Sequence, residues 1–247
     1  MGSRCLKSGV AMTALLRAEL LKLRSTRTFA AVLASAAALS LTLVVLGAVL
    51  GKQTKPHALF TNSAITYIIV ILGAIAMTGE WRHRTITGSV LAAPNRVRLL
   101  AAKAISYSVA GIALSIIVTA PTIIVGELVL SGRGLATLGA GGIADVLRRN
   151  LAVAALLGPL GVCVGALVRN QIVTVVGLVI VAAALEPAVF QAVPKVGRLL
   201  PLAGAPGGVL GGTHGMLSPA PALAVMVAWT LTVFAAAAWR LRGRDLV

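Results

Sequence analysis

Six long stretches of the chain carry almost no charge. Each is long enough to cross a bilayer as a helix, which takes about 20 apolar residues. They run approximately over Thr28–Leu50, Ala58–Gly79, Ala104–Leu130, Leu151–Val168, Gln171–Val193 and Ala222–Trp239. The fourth is the shortest. The fifth contains Glu186-Pro187; proline has no backbone N–H and its ring clashes with the preceding turn, so the last turn or two of that span is expected to lie at the interface or to break. The pattern predicts an all-α integral membrane fold, a single transmembrane domain over residues 1–247 with six transmembrane helices.

The intervening segments differ in character. Before the first span, Met12, Leu16, Leu20 and Leu23 recur at helical spacing with Arg17, Lys22 and Arg24 on other faces. This predicts an N-terminal amphipathic helix lying along the membrane surface within a tail over residues 1–27. Between the fourth and fifth spans only Arg169, Asn170 and Gln171 are polar, so these two helices are expected to form a tight antiparallel hairpin. Gly161 and Gly165 make a Gly-xxx-Gly step in the fourth span, which lets a neighbouring helix approach closely, here more readily inside one protomer than between two. The segment 194–221 is rich in proline and glycine yet keeps Leu199, Leu200, Leu202, Val209, Leu210 and Leu217. A soluble linker would be more polar. An outer loop of short, broken or re-entrant helices fits better, covered by protein because lipid cannot satisfy broken backbone.

Composition agrees: 58% of residues are hydrophobic, 11% are charged and the mean hydropathy is +0.98, whereas a soluble domain carries roughly 25% charged residues. The net charge of +16 does not point to nucleic acid, because the basic residues sit at the ends of apolar runs without an aromatic platform. They report orientation instead. With the N-terminus inside, fifteen of the 22 Lys and Arg residues fall on the cytosolic side and seven outside, which places both termini in the cytosol. The loop holding Arg133, Arg148 and Arg149 is a local dissent. Cys5 and Cys163 lie in different environments and are not expected to pair. The first apolar run is too long for a signal core, so it is expected to stay as an anchor. Arginine outnumbers lysine 16 to 6, a hint of a GC-rich bacterial genome.

Chemistry is sparse. Gly47–Gln53 imitates a phosphate loop, but the glycine spacing is one residue short and Gln53 stands where Ser or Thr would hold magnesium. His57, His83 and His214 lie in three separate loops, so no metal site is expected. No nucleophile and base, or paired His and Glu, suggests a membrane enzyme. Among the six acidic residues only Glu127 and Glu186 fall within apolar stretches, both near outer ends. They are outer-side polar candidates, and the membrane core lacks an ion-coupling carboxylate. The densest charge lies in the cytosolic loop over residues 80–103, which opens with Glu80-Trp81-Arg82-His83-Arg84-Thr85-Ile86-Thr87. Thr85–Ala92 can form a short helix ended by Pro94. The plainest role for Glu80 is a helix-end carboxylate pairing with Arg84.

Taken together, these features resemble the membrane subunit of a bacterial type-2 ATP-binding-cassette (ABC) transporter over nearly the whole chain. The strings that carry the resemblance are Ala18–Arg27, Gly79–Thr87, Gly165–Gln171 and Glu186-Pro187. The resemblance implies a permease subunit of an exporter in the bacterial plasma membrane, moving an amphipathic, lipid-like or drug-like compound. The translocation path would be built with a second copy of this chain or a related permease. Two cytosolic ABC ATPase subunits would carry ATP and magnesium, leaving this chain without cofactor or enzymatic activity. Its coupling element would comprise Glu80, Trp81, Arg82, His83, Arg84, Thr85, Ile86, Thr87 and Leu91. The alternative is a self-sufficient channel or secondary carrier.

Overall fold

The computed structural model describes Arg17, Ala18, Leu21 and residues 27–50, 57–60, 63–82, 95–211 and 215–242. Among the described residues every regular element is helical: α1 (Arg27–Leu50), α2 (His57–Phe60), α3 (Ser63–Arg82), α4 (Arg96–Gly132), α5 (Gly139–Val168), α6 (Gln171–Ile180), a π turn (Val181–Leu185), α7 (Glu186–Ala192), α8 (Pro194–Gly197), α9 (Gly204–Leu210) and α10 (Pro219–Arg242). Six helical segments are long and apolar enough to span a membrane, one of them running through α6, the π turn and α7. The proposed surface helix over Met12–Leu23 lies outside the described residues except for Arg17, Ala18 and Leu21, which are helical.

The helix α5 sits at the centre, packed on α3, α4 and α10. Glycine makes this possible. A methyl group at Gly161 would overlap the carbonyl oxygen of Val70 on α3, and one at Gly158 would overlap that of Tyr107 on α4. At Gly165 it would come within 2.8 Å of the Ala74 carbonyl oxygen, and at Gly111 within 2.7 Å of the Ala154 one. Helices in contact at this range exchange dispersion contacts between backbones, the main attraction available where lipid tails are as apolar as leucine.

Directions alternate. Gly126 of α4 meets Phe60 and Val44, and the Arg133 guanidinium donates to the carbonyls of Ala48 (2.9 Å) and Val49 (2.7 Å). This arginine satisfies carbonyls that the last turn of α1 leaves unpaired, and it aligns α1 and α4 in parallel. The start of α1 and the end of α10 therefore share one end of the bundle, together with the end of α3, the start of α4 and the turn between α5 and α6.

Two spans are longer than the apolar runs. The 37 residues of α4 make a rod of about 55 Å, against a hydrocarbon core of about 30 Å. Arg96, Arg98 and Lys103 thus belong to its first turns, and Glu80, Trp81 and Arg82 complete α3, so both ends of the expected loop over 80–103 are helical. The Asn95 side chain starts α4 early by accepting from the Arg98 N–H at 3.2 Å. The helix α5 has 30 residues rather than a span of Leu151–Val168. Its opening turns take in Asp145, which pairs with Arg148 at 2.7 Å and Arg149 at 2.6 Å at helical spacing. Charge ends an apolar run but does not end a helix.

Nor does Glu186-Pro187 break the fifth span. The Glu186 N–H reaches back five residues to the Val181 carbonyl, and this wide turn absorbs the proline without driving its ring into the preceding turn. The Glu186 side chain, 2% exposed, accepts from the N–H groups of Leu202 (2.9 Å), Ala203 (2.5 Å) and Gly204 (3.4 Å). It ties the fifth span to the segment 194–211, whose close packing needs Gly197 against Phe190 and Gly204 against the Gly197 carbonyl. Arg149 donates to the Val209 carbonyl at 3.3 Å and Trp229 to that of Leu199 at 2.8 Å. Glu127 accepts from the Leu138 N–H at 3.1 Å, closing the turn between α4 and α5. Both carboxylates thus hold backbone in place. Glu186→Ala strands three buried or part-buried N–H groups and is expected to cost roughly 3 kcal/mol. Thermal unfolding in detergent reads this, with protease cutting within 194–221 as the local readout. An unchanged midpoint and cutting pattern would show that the clamp holds nothing.

Candidate functional site at the basic end of the bundle

The last turn of α3 carries Glu80, Trp81 and Arg82, and each side chain is held by a different neighbour. Glu80 Oε1 lies 3.0 Å from Lys103 Nζ. Glu80 is 5% exposed and Lys103 is 1% exposed. Lys103 lies about 10 Å along α4 from its start, flanked by the buried Leu99, Leu100, Ala102 and Ala104. Removing both charges from water is expensive, and their attraction offsets that cost only while both are present. The pair therefore locks α3 to α4 in a single register.

Beside it, the Arg169 guanidinium lies 4.6 Å from the centre of the Trp81 ring, a cation–π contact worth about 0.5–2 kcal/mol. Arg169 ends α5 in the left-handed conformation, with φ 63°, and its N–H bonds back to the Gly165 carbonyl at 3.0 Å. This geometry is uncommon for a residue with a side chain. It allows a two-residue connection in which Asn170 accepts from the Val173 N–H at 3.1 Å and starts α6. The turn is as tight as its polar residues predict, yet α6 leans on α3 more than on α5, because the small-residue face of α5 is already occupied. Arg82 completes the bracing by donating to Gln171 Oε1 at 3.3 Å. The indole N–H of Trp81 has no acceptor among the described residues.

The glycines of α5 set this arrangement. Gly165 faces Ala74, Met77 and Thr78 of α3, so the ends of the two helices lie side by side and bring Arg169 to Trp81. Arg96, in the first turn of α4, donates to the Leu241 carbonyl at 3.1 Å and ties in α10.

Of the coupling residues named from sequence, Glu80, Trp81 and Arg82 are brought together. His83, Arg84, Thr85, Ile86, Thr87 and Leu91 lie outside the described residues, as does the suggested pairing of Glu80 with Arg84. The partners absent from the sequence reading are Lys103, Arg169 and Gln171. Lys103 had a signal. A lysine within an apolar helix needs an acid at the same depth, and Glu80 is the acidic residue facing it across the loop.

What the fold and this site define is a multi-pass all-α membrane protein, braced at one end by a buried ion pair and a cation–π contact. No family model matches the chain, and no curated protein matches it.

Proposed function

We propose that the protein is the permease subunit of an ATP-driven exporter of the type-2 ABC kind. It moves an amphipathic, lipid-like or drug-like compound across a bacterial plasma membrane as a homodimer or with a related permease. A separate cytosolic ATPase supplies the energy. The observation that carries this reading is the three-way bracing of the end of α3 through Lys103, Arg169 and Gln171. A segment mounted on so rigid a helix end transmits a push into α3, α4 and the α5–α6 turn together. The segment after Arg82 is then the contact with the ATPase, and the bracing carries its closure into the spans.

Two experiments test the reading. In cells, with Cys5 and Cys163 removed, Thr54→Cys is expected to label from outside with an impermeant thiol reagent and Asn95→Cys only after permeabilisation. Labelling of Asn95→Cys in intact cells overturns the orientation. The chain purified with its ATPase is expected to show substrate-stimulated ATP hydrolysis, and the chain alone no ATP binding. Trp81→Ala is expected to lower the stimulated rate at least about fivefold, from loss of the ring under Arg169, with the yield of complex unchanged. Substrate movement by the chain alone, or full stimulation in Trp81→Ala, rejects the proposal.

A further inference from the structure

A serine or threonine inside a helix can satisfy its hydroxyl on the carbonyl four residues back, as Thr78 does on Ala74 (2.8 Å), Ser106 on Ala102 (2.9 Å) and Thr122 on Val118 (2.7 Å). Ser115 and Thr119 of α4 do not. They are 0% and 2% exposed, and neither hydroxyl oxygen has a hydrogen-bond partner among the described residues. Being four positions apart, they share one face of the helix. A third polar side chain stands at the same depth. The helices α4 and α5 run antiparallel, with Ser108 donating to the Ala155 carbonyl at 2.8 Å and Gly111 facing Ala154. One turn further along α4 and one turn back along α5, Ser115 and Asn150 reach a common level. Asn150 is 3% exposed. Its amide nitrogen donates to the Phe60 carbonyl at 3.3 Å, which leaves the amide oxygen as an acceptor.

We propose that Ser115, Thr119 and Asn150 hold one buried water within the membrane, and that this water ties α4 to α5. A buried polar group without a partner forfeits the hydrogen bonds it makes in water, and hydrocarbon supplies none in exchange. A buried water typically makes about three hydrogen bonds to such groups, and these side chains offer two hydroxyls and an amide oxygen. Each hydroxyl can donate or accept, so both the hydrogens and the lone pairs of the water find partners. The link falls where α4 is weakest. Pro121 removes the N–H that the Ile117 carbonyl would accept, and the glycine contact at Gly111 lies more than two turns away. Dispersion holds the backbones together at that glycine; the water adds a directional tie beyond it.

The test is a double-variant cycle on the full-length chain, using Ser115→Ala and Thr119→Val, which remove the hydroxyls with little change of shape. Thermal unfolding midpoints are measured for the wild type, both single variants and the double variant in one detergent. With a shared water, each single variant is expected to lower the midpoint by about 2–4 °C, the shift that losing one net hydrogen bond gives in a chain of this length. The double variant should fall no further than the worse single one, because the water is already gone. A high-resolution cryo-electron-microscopy map of the wild type in nanodiscs should show one water within hydrogen-bonding reach of the three side chains, and the map of Thr119→Val should lack it. Single variants whose midpoints stay level or rise overturn the proposal, since removing a hydroxyl from a dry site relieves its desolvation cost. So does an additive drop, which would give the two hydroxyls separate roles. So does a map without the water, in which the hydroxyls turn back onto the carbonyls of Gly111 and Ser115.

Discussion

Glu80→Ala is expected to destabilise the protein by about 3–5 kcal/mol, the range for removing one partner of a buried ion pair. The cause is what remains. Lys103, 1% exposed, would keep its charge in a low-dielectric setting without the Glu80 carboxylate beside it. Lys103→Met alone should do similar damage by removing the ammonium that faces the buried Glu80 carboxylate. The double variant Glu80→Gln/Lys103→Met should recover most of the loss, because a neutral pair of similar volume carries no desolvation penalty. Thermal unfolding of the wild type, Glu80→Gln, Lys103→Met and the double variant in one detergent gives the coupling energy directly. If the single variants unfold with the wild type, the pair is not holding α3 to α4. The double variant also separates stability from coupling. Should it fold well yet lose substrate-stimulated ATP hydrolysis with the proposed ATPase, charge at this site is needed for the proposed transmission and not for architecture alone.

Gly161→Ala should be among the most damaging methyl additions at the described glycines. In an ordinary helix interior alanine is favoured over glycine by about 1 kcal/mol. Here the new methyl would overlap the Val70 carbonyl oxygen, with the Ala74 backbone nitrogen also close. Both obstacles are backbone atoms, so no rotamer change relieves them and α3 and α5 must part. Overpacking of this sort costs about 1–3 kcal/mol or more, which exceeds the propensity gain. Loss of the α3–α5 contact also pulls Arg169 away from Trp81. Gly177→Ala is the contrast, since a methyl there meets nothing within 4 Å and should be neutral or slightly stabilising. The two variants are compared by unfolding midpoint and by monodispersity after extraction. Equal midpoints would mean that the helices pack less closely than described.

Much of the fold was legible because a membrane restricts the choices. Hydrocarbon leaves no solvent for an unpaired peptide group, so a long uncharged run has to be a helix, and all six runs correspond to one. Their ends were less legible. The first turns of α4 and α5 contain Arg96, Arg98, Asp145, Arg148 and Arg149, and hydropathy reads such residues as loop although capping and ion pairing keep them helical. Proline's local behaviour predicts that the span lies at the interface or breaks at Glu186-Pro187. A π turn absorbs the proline, and the carboxylate is retained for a segment 16 to 18 residues further along.

The candidate site divides in the same way. Its location, at the charged end of the second span, could be read from the chain because charge is costly in lipid and collects where a span ends. Its wiring could not. Lys103 meets Glu80 across 23 positions, Gln171 meets Arg82 across 89, and Arg169 reaches Trp81 only because Gly161 and Gly165 let α5 lie against α3. In a membrane the lipid-facing and protein-facing sides of a helix are both apolar, so periodicity carries little record of which neighbour a face will meet. The sequence by itself determined that this protein has six membrane-crossing helices and where its charge gathers. Tertiary packing decided which of those charges are paired, and so which helix ends move as one.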